Sequence, residues 1–166
     1  NAGLWGYNIG DTVEFVSLNP PRIIVTGRIK HFISAFGEHV IGKEVEEAMN
    51  INTLKTRLGV SEFTVAPQIT PESGLPYHEW FVEFVNKPEK LEEFAKNVDL
   101  SLQEQNSYYK DLIEGKILQQ LKIRIVAKGG FNNYMKSIGK LGGQNKVPRL
   151  SNDRKIADTL SKFLEK

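Results

Sequence analysis

Cysteine is absent from the 166 residues of the sequence, so disulfide bonds and cysteine-ligated metal sites are excluded. The sequence also lacks any apolar run near the roughly 20 residues that a helix needs to span a bilayer. Its first residues carry neither the basic region nor the apolar core of a signal peptide. A reducing compartment is therefore permitted, and the sequence predicts a soluble, cytoplasmic protein.

Neither sign of charge predominates. The 22 Lys and Arg residues are interleaved with 20 Asp and Glu residues, which leaves a net charge of only +2 and no continuous basic stripe. Because nucleic acids and anionic membranes are bound by concentrated positive charge, we expect neither as a partner. The 40% apolar and 10% aromatic content is typical of a globular protein with one core.

The sequence begins with Asn1-Ala2-Gly3, which lacks a methionine and is similar to the residues left when an expression tag is cut off. Such a remnant would make the chain a domain taken from a longer protein. The length of 166 residues fits one domain of ordinary size with a short extension.

Apolar residues recur with strand and helix periods in an order that predicts an α+β fold. A turn at 71–74 between two alternating runs indicates an antiparallel hairpin. The predicted elements, in chain order, are strands 12–17 and 22–26, a helix 42–58, strands 62–70 and 78–85, a helix from 88, a strand 121–125 and a closing helix 151–166. We therefore expect a small mixed or antiparallel sheet with helices packed on it.

Some single residues support these boundaries. Gly59 is predicted to end the first helix, and Ser151 is predicted to cap the last one. Trp80, Val82 and Phe84 lie on one face of the strand 78–85, and we expect Trp80 and Phe84 in the core.

The segment 129–143 carries five glycines and is predicted to be a basic loop. It lacks the Gly-Lys-Ser/Thr ending of a phosphate-binding P-loop, which disfavours a phosphate site there. His31, His39 and His78 have no metal-ligand spacing, so we predict no metal site and expect structural or exposed histidines.

Three clusters of glycines and charged residues interrupt the apolar pattern. They are Tyr7-Asn8-Ile9-Gly10-Asp11, Gly27-Arg28-Ile29-Lys30, and Lys146 within its glycine-rich surroundings. Each cluster alone fits an ordinary turn, the end of a strand or a solvated loop, because Gly and Asp are favoured in turns for local reasons. Their order along one chain is more informative than any one of them.

In this order the clusters resemble the adenylate-forming superfamily, which includes acyl-CoA synthetases, luciferase and peptide-synthetase adenylation domains. The stretch Tyr-x-x-Gly-Asp-x-Val at residues 7–13 and the stretch Gln-Asn-Lys-Val-Pro-Arg at residues 144–149 are more closely similar to one group. That group is the plant-hormone (auxin-responsive, Gretchen Hagen) acyl-acid amido synthetases and their bacterial relatives, in which the second stretch reads Gln-Tyr-Lys-Thr-Pro-Arg. The likeness runs from Gly3 to Leu150.

The chain departs from the plant enzymes at three positions. Asn8 stands where they have Arg, Asn145 stands where they have Tyr, and the second turn has Lys30 where plant members often have Arg-Lys-Asn. These departures favour a bacterial member and leave the acid and the amine open.

The resemblance implies the fold of the C-terminal lid domain of adenylate-forming enzymes. Residues 1–29 would be a strand segment leading to a hinge, and residues 30–166 would be the mobile lid. The large N-terminal domain, which binds ATP and the acid, has no counterpart in this chain. The full-length parent would use ATP and Mg²⁺ to make an acyl-adenylate from a carboxylic acid, and would then transfer the acyl group to an amine such as an amino acid. The chain alone would be inactive, because catalysis needs both halves of the site.

The resemblance also assigns roles to single residues. Asp11 matches the carboxylate that accepts hydrogen bonds from the ATP ribose hydroxyls. Arg28 matches an arginine near the nucleotide, and Lys30 matches the hinge about which the lid rotates. Lys146 matches the catalytic lysine that reaches the α-phosphate and the carboxylate of the acid.

Two other interpretations stay open. The C-terminal domain of an acyl-CoA or aryl-CoA ligase would carry similar motifs, because the sequence does not distinguish a thiol acceptor from an amine. A self-sufficient α+β module that binds a small ligand or another protein would contain a closed, concave pocket. The ligase interpretation instead predicts that Lys146 lies on an exposed loop and that the surface near Asp11 and Arg28 is unusually apolar.

Overall fold

A computed structural model of the chain describes residues 10–28, 32–142 and 145–165. Within those ranges it contains seven strands, five α-helices and one 3-10 helix. They are, in chain order, β1 (Asp11–Leu18), β2 (Pro21–Arg28), β3 (Phe32–Ile33), β4 (Val40–Ile41), α1 (Gly42–Thr56), β5 (Val60–Gln68), β6 (Tyr77–Phe84), α2 (Leu91–Gln105), α3 (Ser107–Glu114), β7 (Lys122–Ile125), α4 (Gly130–Ser137), α5 (Lys155–Leu160) and the 3-10 helix Ser161–Phe163. Small sheets combined with separate helices confirm the predicted α+β class.

The central sheet has three strands in the order β5-β6-β7. β5 and β6 are antiparallel, as the turn at 71–74 predicted, and Val65 lies opposite Trp80. β7 lies parallel to β6, which is possible because α2 and α3 supply the long crossover that parallel neighbours need. β1 with β2 and β3 with β4 form two further antiparallel pairs.

Short extended stretches line both outer strands of the central sheet. Beside β5, Leu150 pairs in parallel with Val65. Beside β7, Leu164 pairs antiparallel with Val126, and the N–H of Glu165 donates to the carbonyl of Ile125 at 2.9 Å. The C-terminal part of the chain therefore pairs with each edge of the sheet over a short stretch.

Both faces of the sheet are packed, and β6 is buried along its whole length. Trp80 and Phe81 are neighbours in sequence and point to opposite faces, yet neither is exposed. Trp80 stacks on Phe63, with ring centroids 5.7 Å apart, in a core that α1, α2 and α3 complete. Phe81 lies in a second core, which α4 and α5 complete. The predicted burial of Trp80 and Phe84 is confirmed, and the burial of the opposite face of β6 is an addition that the sequence did not predict.

The burial of this second face is not evident from the sequence, because two glutamates of β6, Glu79 and Glu83, are buried on it. A guanidinium nitrogen of Arg154 donates to Glu79 at 2.8 Å, and the N–H of Gly129 donates to Glu83 at 2.8 Å. Buried carboxylates are tolerated when such donors satisfy them. These donors lie 75 and 46 positions away in sequence, so no local pattern reveals them.

Helix α1 ends earlier than predicted, at Thr56, where Arg57 adopts a left-handed φ of 55°. Gly59 does not end this helix and is required for a different reason. Its N–H donates to the side chain of Asn86 at 2.7 Å, and a Cβ at Gly59 would lie only 2.9 Å from the Cβ of Val85. The glycine is therefore explained by the close approach of two chain segments, not by a helix stop.

The predicted loop at 129–143 is wrong over most of its first half, which forms α4. Phe131, Tyr134 and Met135 are buried at helical spacing on this helix. The glycines around them conceal the pattern, since glycine normally weakens a helix.

Helices α2, α3 and α5 also differ from prediction. α2 begins at Leu91, three residues after Pro88, and α3 was not predicted at all. The side chain of Asn106 caps α3 by accepting the N–H of Tyr109 at 2.8 Å. The closing helix is shorter than predicted, because the N–H of Ser151 donates to Val65 in the sheet at 2.9 Å and the chain stays extended there.

Candidate active site

Lys146 is exposed and lies on a stretch of irregular chain, residues 145–148, where it lines a small cleft. The predicted exposure of this lysine is confirmed. The cleft has a volume of about 190 Å³, and Glu62, Glu83 and Phe131 contribute to its walls. Pockets that enclose a small molecule usually measure about 300 to 1,000 Å³. The cleft is therefore too small to enclose a nucleotide by itself.

The chain directly after Lys146 is fixed to the sheet. Val147 is buried in the second core, and the hydroxyl of Thr64 donates to the carbonyl of Pro148 at 2.7 Å. The N–H of Val65 donates to the carbonyl of Arg149 at 2.9 Å. Lys146 thus extends from the end of a held segment into solvent.

Glu83 caps α4 from within the same cleft. Glu83 is only 6% exposed, and its carboxylate accepts the N–H of Gly129 at 2.8 Å and the N–H of Phe131 at 3.2 Å. A negative charge at the start of a helix is favoured by the helix dipole. Because these amides already donate to a carboxylate, they are not offered to a phosphate, which agrees with the absence of a P-loop ending.

The structure brings Asp11 and Arg28 opposite each other at the open end of the β1–β2 hairpin. Gly10 precedes them with a φ of 75°, a conformation that favours glycine. Lys30, the predicted hinge, lies outside the described residues. Asp11 is not among the described residues that line the cleft beside Lys146. The cleft beside Lys146 is therefore formed without Asp11.

The β1–β2 hairpin exposes large apolar side chains on both strands. Their exposed fractions range from 42% to 78%. These residues are Val13, Phe15, Val16, Leu18, Ile23, Ile24 and Val25. So many large, exposed apolar side chains on one hairpin are typical of a contact site. The prediction of an unusually apolar surface near Asp11 and Arg28 is confirmed.

A buried, hydrogen-bonded pair of side chains, Glu38 and His78, was not predicted from the sequence. Both side chains are fully buried, and the carboxylate of Glu38 lies 2.9 Å from Nε2 of His78. Burial alone would raise the pKa of Glu38, but hydrogen bonds from His78 and from the N–H of Phe36 outweigh burial and hold the pKa below its ordinary value. The ring of His78 also contacts Tyr109, at 5.0 Å between centroids. His78 is thus structural, as predicted, and His39 is exposed.

Two further properties of the described ranges concern metals and membranes. Residues 10–28, 32–142 and 145–165 contain no group of three His, Cys, Asp or Glu side chains placed to hold a metal ion. None of the helices in those ranges combines the length and the apolar character that crossing a bilayer requires.

Comparison with known proteins gives one family and several structures. The model of the GH3 family C-terminal domain matches residues 43–155. A structure titled GH3.15 acyl acid amido synthetase superposes with a TM-score of 0.76 at 20% identity, over 99% of this chain and 32% of that one. A structure titled AtGH3.15 acyl acid amido synthetase in complex with 2,4-DB superposes with a TM-score of 0.72 at 18% identity, over 95% of this chain and 30% of that one. No curated protein sequence matches significantly. The chain thus shares the fold of one part of these proteins and spans about a third of their length.

Proposed function

The chain belongs to the GH3 family and carries its C-terminal domain, and from this we propose that it is the C-terminal part of an ATP-dependent acyl acid amido synthetase. In the proposed reaction, a carboxylate oxygen of the acid attacks the α-phosphorus of ATP and pyrophosphate leaves. The nitrogen of an amine, such as an amino acid, then attacks the acyl carbon, and AMP leaves. The first step is needed because a carboxylate is a poor electrophile.

The exposed position of Lys146 is the observation that supports this proposal most directly. This lysine is an exposed ammonium at the start of a segment that is hydrogen-bonded to β5, in a domain of this family. The oxygens on the α-phosphorus gain negative charge in the transition state, and a positioned ammonium stabilises them. Removing one such group commonly lowers kcat by about 10² to 10³. Because the adjoining cleft of about 190 Å³ cannot enclose ATP, Lys146 would act on a nucleotide held mainly by another surface.

Asp11 and Arg28 would contact the nucleotide in this proposal. An ionised carboxylate can accept hydrogen bonds from both ribose hydroxyls, and an arginine is a permanent cation suited to ribose or phosphate oxygens. Their opposition across β1 and β2 supports a shared position. Residues 1–29 would form the strand segment before the hinge, with Lys30 as the hinge and residues 30–166 as the mobile lid.

The partner of this domain would be the large N-terminal domain of the same protein. The chain covers 32% of the similar amido synthetase, which leaves room for such a domain. The exposed apolar side chains of the β1–β2 hairpin support a contact with it. The isolated chain should be inactive, and it should bind ATP no more tightly than about 1 mM, because two charged residues without an adenine pocket offset little of the entropy of binding.

Magnesium enters the proposal with ATP, since Mg²⁺ is usually bound through substrate phosphates and one or two carboxylates. The described residues offer no cluster of three ligands, so the proposal leaves the protein's magnesium contacts to the N-terminal domain. A cytoplasmic location belongs to the same proposal, because ATP is abundant there.

An amine acceptor is preferred to a thiol because both similar structures are titled acyl acid amido synthetases. The two acceptors are separated by supplying the full-length protein with ATP, an acid, and either amino acids or coenzyme A. Mass spectrometry should find an amide with amino acids and no thioester. A thioester without any amide would replace this proposal by an acyl-CoA ligase.

Pyrophosphate release tests the activity itself. We would measure it for the full-length protein with a panel of carboxylic acids, comparing wild type, Lys146→Ala and Lys140→Ala. Lys140 is the matched control, because it is also an exposed lysine close to the glycine-rich stretch. Lys146→Ala should lower acid-dependent release by about a hundredfold or more, and Lys140→Ala by less than about twofold. Equal rates for wild type and Lys146→Ala would remove Lys146 from the chemistry, and no release with any acid would contradict a ligase.

A further inference from the structure

Arg149 lies three residues after Lys146 and is held by two structural elements at once. Its guanidinium donates to Glu46 of α1 at 2.9 Å, and to Glu62 and the carbonyl of Phe63, both in β5, the latter at 3.2 Å. The guanidinium also lies over the ring of Phe63, 4.7 Å from its centroid. A side chain with this many partners restrains its own backbone, because moving it would break several contacts together.

The described hydrogen bonds before Lys146 are local. The N–H of Lys140 donates to the carbonyl of Met135 at 2.9 Å, and the side chain of Asn145 donates to the carbonyl of Gly142 at 3.3 Å. The described hydrogen bonds that join residues 145–151 to the sheet all lie on the C-terminal side of Lys146. Val147 and the carbonyl of Pro148 contribute to the restraint on that side, and Arg149 supplies its charged part.

We propose that Arg149 is the positioning residue for Lys146: by joining residues 147–151 to both α1 and β5, it fixes the point from which the lysine reaches the α-phosphate. The inference rests on the proposed function and assigns a residue to the same reaction. A misplacement of about 1 Å can lower the rate of a positioned reaction about a hundredfold. Lysine cannot replace Arg149, because its single ammonium cannot donate in the fork that spans Glu46 and Glu62.

The first test compares Arg149→Met with Arg154→Met in the full-length protein. Arg154 is the matched control because its guanidinium also ties a C-terminal segment to the sheet, through Glu79 at 2.8 Å and the carbonyl of Pro67 at 3.1 Å. Methionine keeps the apolar stem at either site. Arg149→Met should lower kcat for pyrophosphate release about 10 to 100-fold and change KM for ATP by less than about threefold. Arg154→Met should lower kcat by less than about threefold. Equal losses in the two variants would overturn the inference.

A double variant tests whether Arg149 acts through Lys146. If it does, Lys146→Ala/Arg149→Met should be no slower than Lys146→Ala alone, because the lysine to be positioned is already gone. If the two losses multiply instead, Arg149 acts independently of Lys146 and the inference is wrong.

Hydrogen exchange of this chain supplies a readout that does not depend on activity. The amides of Val65 and Ser151 join the Lys146 segment to β5. They should exchange about tenfold faster in Arg149→Met than in Arg154→Met, because the segment opens more often. Unchanged exchange would overturn the inference. If the wild-type protein released no pyrophosphate while exchange rose as expected, the ligase proposal would fail and the restraint by Arg149 would stand.

Discussion

Replacing Glu83 by alanine should destabilise the chain, because this carboxylate is the cap of α4. Glu83 is 6% exposed, and its carboxylate accepts the N–H groups of Gly129 and Phe131. Losing a helix cap costs about 1 kcal/mol, and a buried N–H left without a partner costs about 1 to 3 kcal/mol. Water can enter from the cleft and relieve part of the second cost. We therefore expect a loss of about 3 kcal/mol in the free energy of unfolding, which corresponds to about 6 to 12 °C in Tm for a domain of this size.

Urea and thermal unfolding followed by circular dichroism would measure this loss. Glu83→Gln should lose about half as much, because its amide keeps one oxygen as an acceptor. Glu114→Ala is the control, since Glu114 is exposed and pairs with Lys110 at 3.7 Å, a contact worth about 0.3 to 0.5 kcal/mol. If Glu83→Ala were no less stable than Glu114→Ala, the start of α4 would be satisfied without the carboxylate and the reasoning would be refuted.

Two further predictions concern two buried hydrogen-bonded pairs, Glu38 with His78 and Tyr109 with Asp99. The pKa of Glu38 is lowered in the folded chain, so its stabilising contribution is complete above the ordinary value of 4.5 and is lost as the pH falls through the lower folded value. Urea unfolding at several pH values should show this loss, and Glu38→Gln should flatten it; parallel curves would contradict the assignment. Tyr109→Phe should cost about 1.5 kcal/mol, because the buried hydroxyl donates to the carboxylate of Asp99 at 2.7 Å. Tyr108→Phe, at an exposed neighbouring position, should cost less than about 0.5 kcal/mol, and equal losses would disprove the role of the buried hydroxyl.

The strands β1, β2, β5, β6 and β7 and the helices α1 and α2 could be predicted because their signals are local. The alternation around Val13 and Phe15, and the helical spacing of Phe94, Ala95 and Val98, depend only on near neighbours. α4 could not be predicted in this way. Its glycines suggest a loop, and the residue that stabilises its first turn, Glu83, lies on β6, 46 positions before Gly129.

The residues of the candidate site also differ in whether the local sequence reveals their role. Lys146 could be selected, and its exposure predicted, because the motif around it occupies adjacent positions. Arg149 belongs to that motif, but its partners Glu46 and Glu62 lie 103 and 87 positions earlier, so its contacts appear only in the fold. Glu38 was missed for the same reason, since His78 lies 40 positions away.

The extended stretches beside β5 and β7 make the folding of this chain depend on its completion. While the polypeptide is being synthesised, the three strands of the central sheet leave the ribosome first. Leu150 and Leu164 can pair with the edges of this sheet only later. Until then the edges carry unpaired N–H and C=O groups, which can pair with strands of other molecules. A chain cut short before Arg149 would retain those bare edges permanently. We therefore expect such a product to form insoluble aggregates on expression, even though it would contain every strand and helix from β5 to β7.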